Sequence, residues 1–281
     1  MEGETQNAQL VLREMAESGF EATELGDWGF LPTDPHELAE VLTQTDLQLV
    51  GAFVPVALAA PKAHAGGLEV ALKTAKLLES VGTDAVIVLA DENGTDPIRT
   101  ARAGRIGRDD GLPSDRWDSF VGGANQIARA VRDATGLQTV FHHHCAGYVE
   151  TPSEIDYLLT HTEPDLLGLC LDTGHYAFGG GDPLEALQRY GDRVRHVHFK
   201  DFSPEIAREA RRQGWDYFQS IREGVFCELG KGNVDFPAIT NHLQAVDYKG
   251  WVVVEQDILP GMGSGLDNAI KNRSYLRSMG L

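Results

Sequence analysis

A chain of 281 residues that is 42% hydrophobic can bury one large core, so a single domain spanning 1–281 is expected. Its formal charge of −18 would repel a phosphate backbone, which argues against nucleic acid as a partner. Three cysteines without C-x-x-C spacing exclude a disulfide framework and a thiolate zinc site, and no run approaches the roughly 18 apolar residues of a membrane helix or the basic start of a signal peptide.

A soluble cytoplasmic protein with no membrane partner is therefore expected, with a homo-oligomer left open. Met1–Gln6 is too polar for a buried parallel strand, so the first predicted element is a helix over Asn7–Ser18. A strand over Phe20–Leu25 and a helix over Pro35–Thr43 follow, the latter announced by Asp34 as N-cap with Pro35 and Glu37 in its first turn. The alternation continues through strand Gln48–Val54, helix Leu68–Ser80, strand Ala85–Ala90, helix Ser114–Thr135, strand Thr139–His143 and helix Ser153–His161, with Ser153 as its N-cap. Strand Leu166–Leu171, helix Pro183–Arg189, strand Val194–Phe199, helices Pro204–Arg222 and Phe236–Val246, strand Trp251–Glu255 and helix Gly265–Ser278 complete it. Gly19 and Gly82 fall where helices end, and the Gly/Pro-rich stretch Pro260–Gly265 reads as a joint.

Near-continuously apolar strands alternating with amphipathic helices predict an α/β fold, a (β/α)₈ barrel whose first strand is missing from this chain. Either the natural protein is longer, which is the favoured expectation, or the barrel stands open with two costly edges.

Four strands end on metal-ligand residue types: VFHHH at 140–144, LCLDTGH at 169–175, HVHFKD at 196–201 and VVVEQD at 252–257. Side chains alternate along a strand, so His142 shares a face with His144, His196 with His198 and Lys200, and Trp251 with Val253 and Glu255, while Asp172 follows Cys170. Taken singly, each is an ordinary core or capping residue. Seven of the ten histidines lie between 142 and 198, however, and that clustering at strand ends raises all of them together. Two imidazoles and two carboxylates suit Mn²⁺ or Co²⁺ first, with Zn²⁺ and Fe²⁺ compatible and Mg²⁺ preferring more oxygen. His175 would reach such a site from the following loop.

DTGH at 172–175, GGGDP at 179–183, ELGKGNVDF at 228–236 and GWVVVEQD at 250–257, together with HVHFKD, resemble the xylose-isomerase-like TIM-barrel superfamily. TELGDWGFLPTD at 23–34 and the HHH run followed by YVET at 148–151 resemble its inosose dehydratase branch, which removes water from 2-keto-myo-inositol. The resemblance implies metal ligation by His142, Asp172, His198 and Glu255, where many relatives carry Glu at the first position. It further implies acid/base or contact roles for His144, His175 and Lys200 and, ranked lower, positions near the pocket for Glu150 and Thr151; independently, Glu24 ends its strand as a substrate-contact candidate, and Trp28 and Phe30 after it are candidates for an aromatic wall against a sugar's C–H face. The expected reaction on a keto polyol is α-proton abstraction to an enediolate followed by loss of hydroxide. A keto-sugar isomerase or epimerase on the same site, a phosphodiesterase acting on abasic DNA, which would need a basic groove, and a silent metal-stabilised binding protein are the competing expectations.

Overall fold

The computed structural model describes residues 7–82, 84–257 and 264–281. Its main sheet contains β1 (Ala22–Glu24), β2 (Gln48–Val56), β3 (Val86–Asp91), β4 (Gln138–His142), β5 (Leu167–Asp172), β6 (Val194–Phe199) and β7 (Val252–Val254), hydrogen-bonded in that order. Every neighbouring pair is parallel, so each connection must return along the outside of the sheet. Helices Pro35–Thr45, His64–Ser80, Ser114–Thr135, Pro152–His161, Pro183–Tyr190 and Phe236–Ala245 make those returns, and the whole is a nearly closed barrel.

Strand composition follows from burial on both faces. Ile87, Val88, Leu89 and Ala90 of β3 are all fully buried, alternately against the helices and inside the barrel. Outward residues such as Leu49, Ile87, Phe141, Leu169 and Val197 join the large core with Phe120, Ile127 and Leu158 of the helices. Val88, Val140 and Cys170 form a small separate cluster with Phe53 and Val86.

Three departures from the expected elements have local causes. Helix Pro152–His161 is capped by Thr151 and not by Ser153: Thr151 Oγ1 accepts from the Glu154 amide while Glu154 Oε2 accepts from the Thr151 amide, a reciprocal capping box. The single helix expected over 204–222 is two, Pro204–Gln213 and Tyr217–Arg222, because Gly214 closes the first at φ 70° and Asp216 caps the second. Short helices Pro97–Arg102 and Thr173–Phe178, and an antiparallel ribbon pairing Asp201–Phe202 with Phe226–Cys227, carry no periodic signal long enough to read.

Among the described residues β1 and β7 each pair on one side only, and no eighth strand lies between them; Met1–Gln6 and most of the Pro260–Gly265 joint lie outside those residues. Both edges are three residues long, which limits the unpaired backbone they present. A cavity of about 630 Å³ separates them, lined by Thr23 and Glu24 of β1, Val252 and Val254 of β7, and Leu12 and Leu276 of the helices Ala8–Ser18 and Gly265–Ser278. No described helix is long and apolar enough to cross a membrane.

Candidate metal centre and active site

The C-terminal ends of β4, β5, β6 and the residues after β7 converge, because parallel strands in register place their last side chains in one layer. His142 pairs in register with Cys170, and Asp172 with His198. Ligand atoms of His142, Asp172, His175 and Glu255 all lie within 4.8 Å of one another. His198 borders this group: its ring centroid is 5.0 Å from that of His142, and its Nδ1 is 2.9 Å from Glu255 Oε1. His175 thus stands inside the set with three of the four residues expected to ligate, and His198 stands beside it.

Asp172 Oδ1 accepts from the His175 amide at 2.7 Å and caps helix Thr173–Phe178, which swings His175 over the end of the barrel. Its other oxygen is buried with no hydrogen-bond partner, as is Nδ1 of His142. Leaving a buried carboxylate oxygen and an imidazole nitrogen unpaired is costly, and both belong to a set of side chains close enough to share a divalent cation, so the residues fit such an ion. Burial pushes the Asp172 carboxyl up to about 7 against the pull of Lys200.

Lys200 follows β6 on the face of His196 and His198, as alternation requires. Its Nζ lies 2.9 Å from Glu255 Oε2, 3.4 Å from Asp257 and 3.4 Å from His175 Nε2. Burial opposes its charge, but Asp257, Glu255 and Asp172 outweigh it and hold the ammonium well above its ordinary range. Asp201, the next residue, accepts from the amides of Gly230, Gly232 and Val234. Gly174 is required here: a Cβ on it would stand 2.6 Å from Lys200 Cγ.

His144 stacks on His175 with centroids 3.9 Å apart. Its Nδ1 lies 2.7 Å from the Cys145 carbonyl, an acceptor, and 3.0 Å from the Asn93 amide nitrogen, a donor, so this nitrogen is engaged by its neighbours whichever tautomer the ring adopts. Burial lowers the pKa of both rings, His144 to about 4, and keeps them neutral at pH 7. His143 points away, its Nε2 accepting from the Asp172 amide at 3.2 Å.

The remaining expected residues are distributed differently. Glu24 turns into the barrel, its Oε1 2.7 Å from His196 Nε2 and 3.0 Å from His198 Nε2. Burial would raise its carboxyl, yet those histidines hold it at about 2. Phe30 lines the cavity between the edge strands together with Glu24 and Glu255, whereas Trp28 is exposed, with the Lys73 ammonium 4.3 Å above its ring. Glu150 is buried beneath the loop after β4, where its oxygens accept from the amides of Gly104 and Ala146. Thr151 is the cap already described.

Sequence reasoning gave no role to Asp257, Tyr217 or Asn93, and none to His196 although alternation places it on the face of His198. Asp257 was legible, standing two residues beyond Glu255 in the sequence. Asn93 reaches His144 Nδ1 at 3.0 Å from the loop after β3. Tyr217 comes within 5.7 Å of the His144 ring only because the helix breaks at Gly214, which periodicity does not show.

A family model described as a xylose isomerase-like TIM barrel matches residues 12–279. The inosose dehydratase of Geobacillus kaustophilus is 34% identical over 98% of this chain and 88% of that protein. That of Geobacillus thermodenitrificans is 30% identical over 96% of this chain and 88% of its own length. Among solved structures, a zinc-bound IOLI protein superposes with a TM-score of 0.72 at 16% identity, covering 97% of this chain and 92% of that one. A 3-keto-D-glucoside 4-epimerase from E. coli gives 0.70 at 20%, covering 98% and 94%. With its family model covering nearly the whole sequence and inosose dehydratases among its relatives, the chain belongs to the xylose isomerase-like TIM-barrel family.

Proposed function

We propose that this protein is a metal-dependent hydro-lyase that removes water from a keto polyol of the 2-keto-myo-inositol type. The observation that carries the reading is the 34% identity to an inosose dehydratase over 98% of the chain. His142, Asp172, His198 and Glu255, with His175 beside them, would hold the cation, for which Mn²⁺ or Co²⁺ is proposed. A divalent ion there supplies Lewis-acid polarisation of a ketone and its neighbouring hydroxyl.

The chain's own residues supply the proton transfers. His144, kept neutral by burial and with Nδ1 engaged by Cys145 and Asn93, is the proposed base for the α-proton through Nε2. Lys200, kept charged by Glu255 and Asp257, is the proposed donor to the departing hydroxyl. Phe30 offers an apolar wall in the cavity that Glu24 and Glu255 also line. Cys145, Cys170 and Cys227 are unpaired, which supports assignment to the reducing cytoplasm.

The test is turnover of 2-keto-myo-inositol with Mn²⁺, Co²⁺ and Zn²⁺ in turn, scoring loss of water against isomerisation. Dehydration is expected, with kcat falling about 10²–10⁴-fold in His144→Ala. A flat progress curve with every metal, or isomerisation alone, overturns the reading.

A further inference from the structure

We propose that Glu24 is a positioning residue for the metal centre: its carboxylate, reaching across the barrel interior from β1, holds the His198 ring with Nε2–H toward itself and the Nδ1 lone pair toward the ligand cluster. The inference rests on the metal reading above and assigns to Glu24 a role distinct from substrate contact.

A carboxylate oxygen only accepts, so Oε1 at 3.0 Å from His198 Nε2 and 2.7 Å from His196 Nε2 requires a proton on each nitrogen. In a neutral ring the His198 lone pair then resides on Nδ1. That atom is buried and stands 2.9 Å from Glu255 Oε1. Without a cation so short a contact calls for a second proton on the ring; with one, the Nδ1 lone pair and the carboxylate can both turn to the ion.

The rest of the interior is shaped around this contact. Gly51 stands beside Glu24 in register, and a Cβ there would sit 3.0 Å from Glu24 Oε1. The same oxygen engages His196 two residues before His198 on β6, so the carboxylate is held at two points along one strand. A carboxylate–imidazole pair of this kind fixes ring orientation and raises the basicity of the ligating nitrogen, and losing it typically weakens metal binding about 10–100-fold.

The experiment measures Mn²⁺ and Zn²⁺ affinity, by competition with a chelator, in the full chain and its Glu24→Ala and Glu24→Gln variants. Glu24→Ala is expected to bind about 100-fold more weakly and Glu24→Gln, which keeps an acceptor without the charge, about 10-fold. ¹⁵N spectra of the Zn²⁺-loaded wild type are expected to show His198 ligating through Nδ1 with Nε2 protonated. Affinities within twofold of wild type, or a His198 bound through Nε2, overturn the positioning role while leaving the metal reading intact. Failure of the wild type to bind either ion overturns both. Should Glu24→Ala not fold, Glu24→Gln and the wild-type spectra decide between these outcomes.

Discussion

At the residue scale, environment decides which titratable groups stay neutral. Glu150 is buried, and although the Ala146 and Gly104 amides donate to it, burial raises its carboxyl to about 7. A carboxyl with a raised folded pKa binds protons that the unfolded chain has released. Its contribution to stability is therefore present in full below about 4.5, its ordinary value, and lost as pH rises through about 7. A site-resolved ¹³C titration is expected to place the Glu150 midpoint near 7; a midpoint in the ordinary carboxylate range would show that the two amides outweigh burial. The identity of the ligand residue types was visible from the sequence because strand period 2 puts His142, His198 and Glu255 on inward faces. The inward turn of Glu24 was not, since its partners lie 172 and 174 residues away and only closure of the sheet brings them together.

At the element scale, the loop after β4 carries His144 and is held by one buried ion pair. Arg99 is fully buried, donates to both oxygens of Glu154 at 2.8 and 3.0 Å, and donates through Nε to the Gly147 carbonyl at 2.7 Å. Glu154 in turn receives the amides of Glu150 and Thr151, so the pair ties helix Pro97–Arg102 to the start of helix Pro152–His161. Within this loop Ala146 and Val149 adopt φ of 68° and 67°, and the left-handed region is unusual for a β-branched residue such as Val149. Removing one partner leaves the other charge buried, so Arg99→Ala is expected to cost about 3–5 kcal/mol in urea unfolding. A loss under about 1 kcal/mol would mean the loop is held by its backbone contacts instead. Helix Pro97–Arg102 has six residues, too few for periodicity to expose, which is why this brace was not legible.

At the scale of the whole molecule, the barrel gathers buried polar groups whose cost a cation would relieve. Saturating metal at about 100 times its dissociation constant should stabilise the fold by about 2.7 kcal/mol, read as a rise in Tm that chelator reverses. A melt insensitive to Mn²⁺, Co²⁺ and Zn²⁺ would mean that the orphaned atoms of His142 and Asp172 find another solution. The sequence by itself determined the alternation of strands and helices, because hydrophobic period is a local property, and it marked the strand ends where ligand types cluster. Only the tertiary structure decided that His175 stands closer than His198 to Asp172 and Glu255 as a set, that Lys200 pairs with Glu255 and Asp257, and that Glu24 faces His196 and His198. Those outcomes depend on where parallel strands and helix breaks place side chains distant in the chain, and no local pattern carries that distance.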